Sequence, residues 1–199
     1  MLLFFKRRNV MRILMLGNSY TSANHLPLML AEMTGAEVVA HTRGGARLAE
    51  QINPATKLGN KTLTALHNEK WDYVILQEMS NGPITSKEKF MTNLSKLCGL
   101  IRENGAAPVI FATWAYENNG KQLKKFGMEY EEMYTQLHET FHEAFRQNNC
   151  LIADVGEAFN QTSDQNCLYA PDGSHPGKAG TELAARIIAQ VILDDQQRN

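Results

Sequence analysis

The sequence is poor in cysteine: it has three, Cys98, Cys150 and Cys167, and no CxxC pair. An odd count without such a pair provides no zinc knuckle and fits a reducing compartment. No apolar run is long enough to cross a bilayer. Charged residues form no block of one sign, and 20 Lys and Arg balance 21 Asp and Glu. We therefore expect no nucleic acid and no membrane surface as a partner, and a small molecule instead.

The N-terminus lacks the order of a secretory signal. Residues 1–5 are apolar and residues 6–8 are basic, whereas a signal peptide begins with basic residues and continues with a longer apolar stretch. We interpret residues 1–10 as an N-terminal extension, with Met11 as an alternative start to Met1, and expect a cytoplasmic protein. A chain of 199 residues fits a single domain, spanning 1–199, with a full hydrophobic core.

What the sequence does contain is a regular alternation of strand-like and helix-like segments. Short apolar runs predict five strands, at 12–17, 37–41, 71–77, 108–113 and 151–155. Helical patterns lie at 26–33, 61–70, 87–103, 128–147 and 178–193. This alternation predicts an α/β fold in which helices cover both faces of a parallel sheet with the flavodoxin-like strand order 2-1-3-4-5. Ligands of such sheets bind beyond the carboxyl ends of the strands, here beside strand 1.

Small polar residues follow the first strand directly, and the second of them is Ser19. A serine hydroxyl is a weak nucleophile at neutral pH, so it needs a base, and the base needs a third group that orients it. Asp172 and His175, three residues apart in a turn rich in Gly and Pro, supply both. Each segment alone is also an ordinary turn, with Asp172 or Ser174 as a helix cap. Together they predict a catalytic triad of Ser19, His175 and Asp172.

Acyl transfer also needs hydrogen-bond donors directed at the developing oxyanion. The candidates are the backbone N–H of Ser19, the backbone N–H of Gly45 or of its neighbour Gly44, and the side-chain amide of Gln77 at the end of strand 3. The alternatives are a plain strand-to-helix turn for the glycines and a hydrogen bond to a neighbouring loop for Gln77.

Substrate contacts are expected from residues near the same edge of the sheet. Trp114, after strand 4, is a candidate platform for an acyl group or a sugar ring, with core packing as the alternative. Glu78 is a second candidate, with a structural role beside the site as its alternative. His25 and His41 also lie near this edge, and a hydrogen-bonded loop histidine is the alternative for each.

These segments resemble the sequence blocks of the SGNH (GDSL-like) hydrolases. Residues 17–20, Gly-Asn-Ser-Tyr, are similar to the first block, with Asn18 where Asp is commoner; Gly45 resembles the glycine of the second block; and residues 172–176, Asp-Gly-Ser-His-Pro, closely match the last block. The third block, Gly-x-Asn-Asp, is absent, and Gln77 stands in place of its asparagine.

The resemblance spans nearly the whole chain and carries several expectations with it. It implies a three-layer α/β/α SGNH hydrolase fold and hydrolysis of an ester through an acyl-enzyme. It implies no metal and no cofactor. It also implies a small-molecule substrate with a short acyl group, such as an acetyl ester on a carbohydrate.

A competing motif lies in the fourth predicted helix. His138-Glu139-x-x-His142 matches the His-Glu-x-x-His pattern of zinc peptidases. The apolar stripe of that helix centres near Leu137 and Phe141, which predicts that His142 faces solvent, and no third ligand follows at a recognised spacing. A zinc peptidase is therefore the least favoured alternative. A non-catalytic carbohydrate- or acyl-binding module on the same fold is the other.

Overall fold

Five parallel strands form one sheet in the computed structural model, which describes residues 10–198. They are β1 (Arg12–Gly17), β2 (Glu37–Thr42), β3 (Tyr73–Leu76), β4 (Ala107–Ala112) and β5 (Leu151–Asp154). Their order is β2-β1-β3-β4-β5, which confirms the predicted order. Residues 1–9, which include Met1 and all of the proposed N-terminal extension except Val10, lie outside the described part of the chain.

Each strand is followed first by a short helix and then by a longer one. The helices are α1 (Ser19–Ser22), α2 (Leu26–Thr34), α3 (Leu48–Gln51), α4 (Lys57–Asn68), α5 (Gly82–Thr85), α6 (Lys87–Asn104), α7 (Lys121–Phe126), α8 (Tyr130–Asn148), α9 (Val155–Asn160) and α10 (Lys178–Arg198), with 3₁₀ turns at Ala23–His25 and Gln165–Leu168. The five predicted helices are α2, α4, α6, α8 and α10. Gly105 ends α6 with a φ of +94°, a left-handed conformation that favours glycine.

The sheet is buried on both faces because successive side chains of each strand point to opposite sides. On one face, alternate residues of β1 and β3 pack against α4, α6 and α8; these residues are Leu14, Leu16, Val74 and Leu76. On the other face, the intervening residues pack against α2, α9 and α10; these are Ile13, Met15, Tyr73 and Ile75. Continuous apolar strands are what a sheet covered on both sides requires, and the result is the predicted three-layer α/β/α architecture.

The strand register brings several predicted site residues to one edge of the sheet. Leu16 pairs with Leu76 and Gly17 pairs with Thr42, so the residues after β1, β2 and β3 leave the sheet at nearly the same level. The candidate site is therefore expected beyond the end of the central strand β1. Among residues 10–198, we find no helix that combines the length and apolar character needed to cross a membrane.

Candidate active site

A tight turn at the end of β1 presents Ser19. Asn18 caps α1: its Oδ1 accepts a hydrogen bond from the Tyr20 N–H at 3.0 Å, and its Nδ2 donates to the Ala46 carbonyl at 3.0 Å. Gly17 has no room for a side chain, because an added Cβ would lie 2.2 Å from a neighbouring side-chain oxygen. The backbone N–H of Ser19 lies in the first turn of α1, where N–H groups lack an acceptor within the helix.

The structure brings Ser19, His175 and Asp172 into one hydrogen-bonded chain. His175 Nε2 lies 2.8 Å from Ser19 Oγ, and His175 Nδ1 lies 2.6 Å from Asp172 Oδ2. Because an ionised carboxylate only accepts hydrogen bonds, Nδ1 carries the ring proton. Nε2 of the neutral imidazole is then free to accept from the serine hydroxyl. The ring orientation is the one that a general base for Ser19 requires.

The Asp172 carboxylate is held in place by its own turn. Its Oδ1 accepts hydrogen bonds from the backbone N–H groups of Ser174 and His175, both at 2.9 Å. Partial burial by itself raises the pKa of this carboxyl, but the hydrogen bonds from the His175 ring and from the two N–H groups outweigh it and hold the pKa below its usual value. Asp172 is therefore ionised at neutral pH and can stabilise a positive charge on the imidazole.

Trp114 and Tyr20 support the segment that carries the histidine. The Trp114 Nε1 donates to the Ser174 carbonyl at 3.1 Å, and the Tyr20 hydroxyl lies 2.7 Å from the Ser174 hydroxyl. The Trp114 ring is stacked between Tyr20, at 4.9 Å, and Phe159, at 4.2 Å, and is only 1% exposed. The prediction that Trp114 contacts substrate is therefore wrong, because its ring is enclosed in the core beneath the site.

A surface cavity opens beside Ser19 with a volume of about 340 Å³. Gly45 lines it, whereas Gly44 does not. Gly45 has a φ of +68°, a left-handed conformation that a glycine adopts without strain. Of the two glycines predicted as alternatives, the structure places Gly45 beside the serine. The lining residues are Asn18, Ser19, Tyr20, Gly45, Met79, Ser80, Asn81, Tyr116, Gln122, Ser174 and His175.

Gln77 does not line this cavity, which corrects its prediction as an oxyanion donor. Its side chain lies beneath the turn: Oε1 accepts from the Asn18 N–H and from the Thr21 hydroxyl, each at 2.9 Å, and Nε2 donates to the Glu78 carbonyl. The two donors that converge on Oε1 fix which way the amide points. With 1% of its surface exposed, Gln77 supports the turn that presents Ser19.

Glu78 is also buried away from the cavity, so its predicted substrate contact is wrong and the structural alternative holds. Its carboxylate accepts hydrogen bonds from the Leu48 N–H at 3.1 Å and from the Met79 N–H at 2.8 Å. Burial raises the pKa of Glu78 above its usual value, although both N–H groups oppose this. The side chain thus joins the start of α3 to the loop after β3.

The structure adds two polar residues, Ser80 and Asn81, that were not predicted from the sequence, and it places Tyr116, an aromatic residue expected near this edge, beside them. Ser80, Asn81 and Tyr116 line the cavity, and the hydroxyls of Ser80 and Tyr116 lie 2.9 Å apart. The Oδ1 atom of Asn81 is buried without a hydrogen-bond partner among the described residues. The sequence could have indicated Asn81 only by its position, because it follows the end of β3 by five residues. The adjacent Gly82-Pro83 made the segment look like a simple turn.

The remaining histidines lie outside this cavity. His41 is a buried residue of β2, with Nδ1 3.2 Å from the Thr62 hydroxyl, and His25 is exposed on its turn. His138 and His142 of α8 face Asp154 at the end of β5. Among residues 10–198, these two and Asp154 form the one group of three or more His, Cys, Asp or Glu side chains arranged to hold a metal ion.

Comparisons with known proteins support the interpretation of the fold. No protein-family model matches the sequence, and no curated protein matches it. Among solved structures, a DUF4886 family protein from Bacteroides uniformis is similar at 21% identity over 92% of this chain and 83% of its own, with a TM-score of 0.71. The lipase/acylhydrolase from Enterococcus faecalis is similar at 14% identity over 92% and 95%, with a TM-score of 0.67. At these identities the likeness establishes the fold.

A third structure is much more similar in sequence. It is a protein from Slackia heliotrinireducens assigned to the SGNH hydrolases, and it is 47% identical over 92% of this chain and 100% of its own, with a TM-score of 0.90. The chain belongs to the SGNH hydrolase family.

Proposed function

We propose that this hydrolase is a serine esterase that cleaves short acyl esters through an acyl-enzyme. The observation that carries the proposal is the hydrogen-bonded chain from Ser19 Oγ through His175 to Asp172, with distances of 2.8 Å and 2.6 Å. These hydrogen-bonded side chains lie beside a cavity that Ser19 and His175 line. A nucleophile, a base and an orienting carboxylate in this arrangement are what acyl transfer through a serine requires.

In the first half of the reaction, Ser19 Oγ attacks the ester carbonyl while its proton passes to His175 Nε2. Asp172 stabilises the imidazolium that forms. The imidazolium then protonates the leaving alcohol, and the acyl group remains on Ser19. In the second half, His175 takes a proton from a water molecule as that water attacks the acyl-enzyme, and the imidazolium then returns the proton to Ser19 Oγ as the bond between Oγ and the acyl carbon breaks and the carboxylic acid departs.

The developing oxyanion needs donors, and we assign three on the rim of the cavity. The backbone N–H groups of Ser19 and Gly45 are two. The side-chain amide of Asn81 is the third and replaces Gln77, because Asn81 lines the cavity and Gln77 does not. Loss of one such donor typically lowers kcat about 10²- to 10³-fold. Asn81→Ala should show that loss, whereas Asn53→Ala, at an exposed asparagine before α4, should not.

The chemistry of the cavity supports a small, polar ester. Several hydroxyl and amide side chains line the cavity, among them Ser80, Asn81, Tyr116 and Gln122. Its volume, about 340 Å³, is near the lower end of the range for small-molecule sites. Such a lining suits the hydroxyl groups of a carbohydrate better than a long alkyl chain. We therefore propose an acetyl or similarly short acyl ester of a sugar as the substrate class.

Replacing the nucleophile tests the reaction. Ser19→Ala should fold normally and lower the kcat for p-nitrophenyl acetate at least ~10⁴-fold. The matched control is Ser22→Ala, because Ser22 is the exposed last residue of the same short helix and should leave kcat unchanged. Unchanged hydrolysis by Ser19→Ala would reject Ser19 as the nucleophile.

A fluorophosphonate probe separates an esterase from a binding module. We expect one probe molecule on Ser19 of the wild-type protein and none on Ser19→Ala. A protein that neither reacts with the probe nor hydrolyses model esters, yet binds sugars, would establish the non-catalytic alternative.

The substrate class is tested by comparing acyl chains of increasing length: kcat/KM should be highest for acetyl esters and fall as the chain lengthens. A preference for long chains would refute it.

A further inference from the structure

We infer that His138, His142 and Asp154 form a binding site for a divalent transition-metal ion, best suited to Zn²⁺. The site is separate from the cavity beside Ser19, because none of its three residues lines that cavity. The proposal does not depend on esterase activity. It also differs from a zinc peptidase, since it assigns the metal no part in hydrolysis.

The three side chains converge on a volume of the size of one ion. His138 and His142 are one turn apart on α8, and their ring centres are 4.2 Å apart. The Oδ2 atom of Asp154 lies 2.6 Å from His142 Nε2 and 3.8 Å from His138 Nε2. All three ligand atoms lie within 4.8 Å of one another. Tetrahedral Zn²⁺ with bonds of about 2.0–2.1 Å separates its ligand atoms by about 3.3 Å, so small side-chain rotations suffice.

Asp154 is positioned by contacts that leave its metal-facing oxygen available. It ends β5 and caps α9, where its Oδ1 accepts a hydrogen bond from the Glu157 N–H at 3.1 Å. Its Oδ2 is thereby turned towards α8. A carboxylate oriented by a second hydrogen bond is typical of metal ligands, because the outer contact fixes the angle of approach.

The site is open enough for an ion to enter. The side chains of His138, His142 and Asp154 are 37%, 29% and 23% exposed. The neighbouring carboxylate of Glu157 accepts hydrogen bonds from the Tyr134 hydroxyl and the Gln161 amide, so it is engaged elsewhere. Three protein ligands and a side open to water match the usual count for Zn²⁺ with one or two bound waters.

The chemistry of the ligands selects the kind of metal. Two imidazoles and one carboxylate favour Zn²⁺, Cu²⁺ or Ni²⁺ over Mg²⁺ and Ca²⁺, which prefer oxygen ligands. An ion bound here would join α8 to the junction of β5 and α9. We therefore expect it to stabilise the folded chain, because the unfolded chain does not hold the three ligands together.

Calorimetric titration of the tag-free protein with ZnCl₂ tests the site. We expect saturable binding of one Zn²⁺ per chain, a Tm that rises with Zn²⁺ concentration, and no comparable effect of MgCl₂. His142→Ala and His138→Ala should each weaken Zn²⁺ binding at least 10-fold and abolish most of the shift in Tm. His67→Ala is the matched control, because His67 is an exposed histidine in the last turn of α4, and it should bind as the wild type does.

Asp154→Asn provides a second test in which the cap is kept. The asparagine side chain can still accept from the Glu157 N–H, so the fold is preserved while the charged ligand is lost. We expect weaker Zn²⁺ binding with an unchanged metal-free Tm. No saturable binding by the wild-type chain would overturn the proposal. So would wild-type affinity in both histidine variants, since the ion would then be bound by other residues.

Discussion

Replacing Gln77 by methionine distinguishes its predicted role from its observed one. Methionine has a similar length but cannot accept the hydrogen bonds that Oε1 receives from the Asn18 N–H and the Thr21 hydroxyl. Both donors are buried, since Asn18 is 3% exposed and Thr21 is 1% exposed. A buried donor without an acceptor costs about 1–3 kcal/mol, so the free energy of unfolding should fall by about 2–6 kcal/mol. Domains are stable by about 5–15 kcal/mol, so most of the protein should remain folded.

Urea denaturation followed by tryptophan fluorescence measures this loss. A double-mutant cycle with Thr21→Val isolates one of the two hydrogen bonds, because valine keeps the shape of threonine without its hydroxyl. In the Thr21→Val background, Gln77→Met should cost about 1–3 kcal/mol less than in the wild type, because one of the two donors is already absent.

The refuting result concerns activity. If Gln77 only supports the turn, the folded Gln77→Met protein should keep its kcat for p-nitrophenyl acetate to within about 10-fold. If kcat instead falls 100-fold or more while the free energy of unfolding changes by less than about 1 kcal/mol, Gln77 is an oxyanion donor, because a fall in kcat of this size is the effect of removing such a donor.

Three further predictions concern residues around the site. Burial lowers the pKa of His41 from 6.5 to about 4, and the positive charge of Lys61 adds to this. Between these two values the unfolded chain therefore binds more protons than the folded chain. As the pH falls from 7 to 5, the free energy of unfolding, measured by urea titration at each pH, should fall by about 2 kcal/mol more for the wild type than for His41→Gln. An equal fall in the two proteins would be inconsistent with a neutral buried imidazole. Gly45→Ala should lower stability by about 1 kcal/mol, because a left-handed φ disfavours alanine, and an unchanged urea midpoint would contradict this. Trp114→Phe leaves the Ser174 carbonyl without its donor, so the free energy of unfolding should fall by about 1–3 kcal/mol while the KM for p-nitrophenyl acetate stays unchanged. A raised KM with unchanged stability would indicate that Trp114 contacts the substrate.

The sheet was predictable from the sequence because its strands are buried on both faces. Such strands appear as short continuous apolar runs, and with five of them and helices between, few topologies remain. The short helices α5 and α7 were not predicted. They have four and six residues, too short for a periodic apolar pattern, and they form where the chain turns back onto the sheet.

Residues of the candidate site were predictable where a reactive side chain lies in a turn or directly after a strand. Ser19, Asp172 and His175 stand beside small or turn residues, and the sheet edge brings them together. Side-chain direction was not predictable. Gln77 and Glu78 follow β3 directly, and whether they point into the cavity or beneath it depends on the loops that donate hydrogen bonds to them. Asn81 required the path of the loop after β3 to be known.

The histidines of α8 show the same limit. The apolar stripe of α8 correctly identifies the face that packs on the sheet, and His138 and His142 lie beside it. The helical pattern alone then predicts solvent exposure. It cannot show that β5 ends opposite this margin and presents Asp154 there. A third ligand from a different element leaves no spacing signal in the sequence.

Tyr20 explains how the two halves of the site stay aligned. The Ser19 turn is fixed by Asn18 and Gln77, whereas the His175 segment is fixed by Trp114, and these supports belong to different strand ends. Tyr20 contacts both halves: its N–H is bound by Asn18, and its ring lies edge-on to His175 at 5.2 Å and stacks on Trp114. The residue after the serine therefore links the Ser19 turn to the segment that carries His175. Its hydroxyl adds a hydrogen bond to the segment that carries the base, and a phenylalanine at this position would keep the stacking but lose that bond.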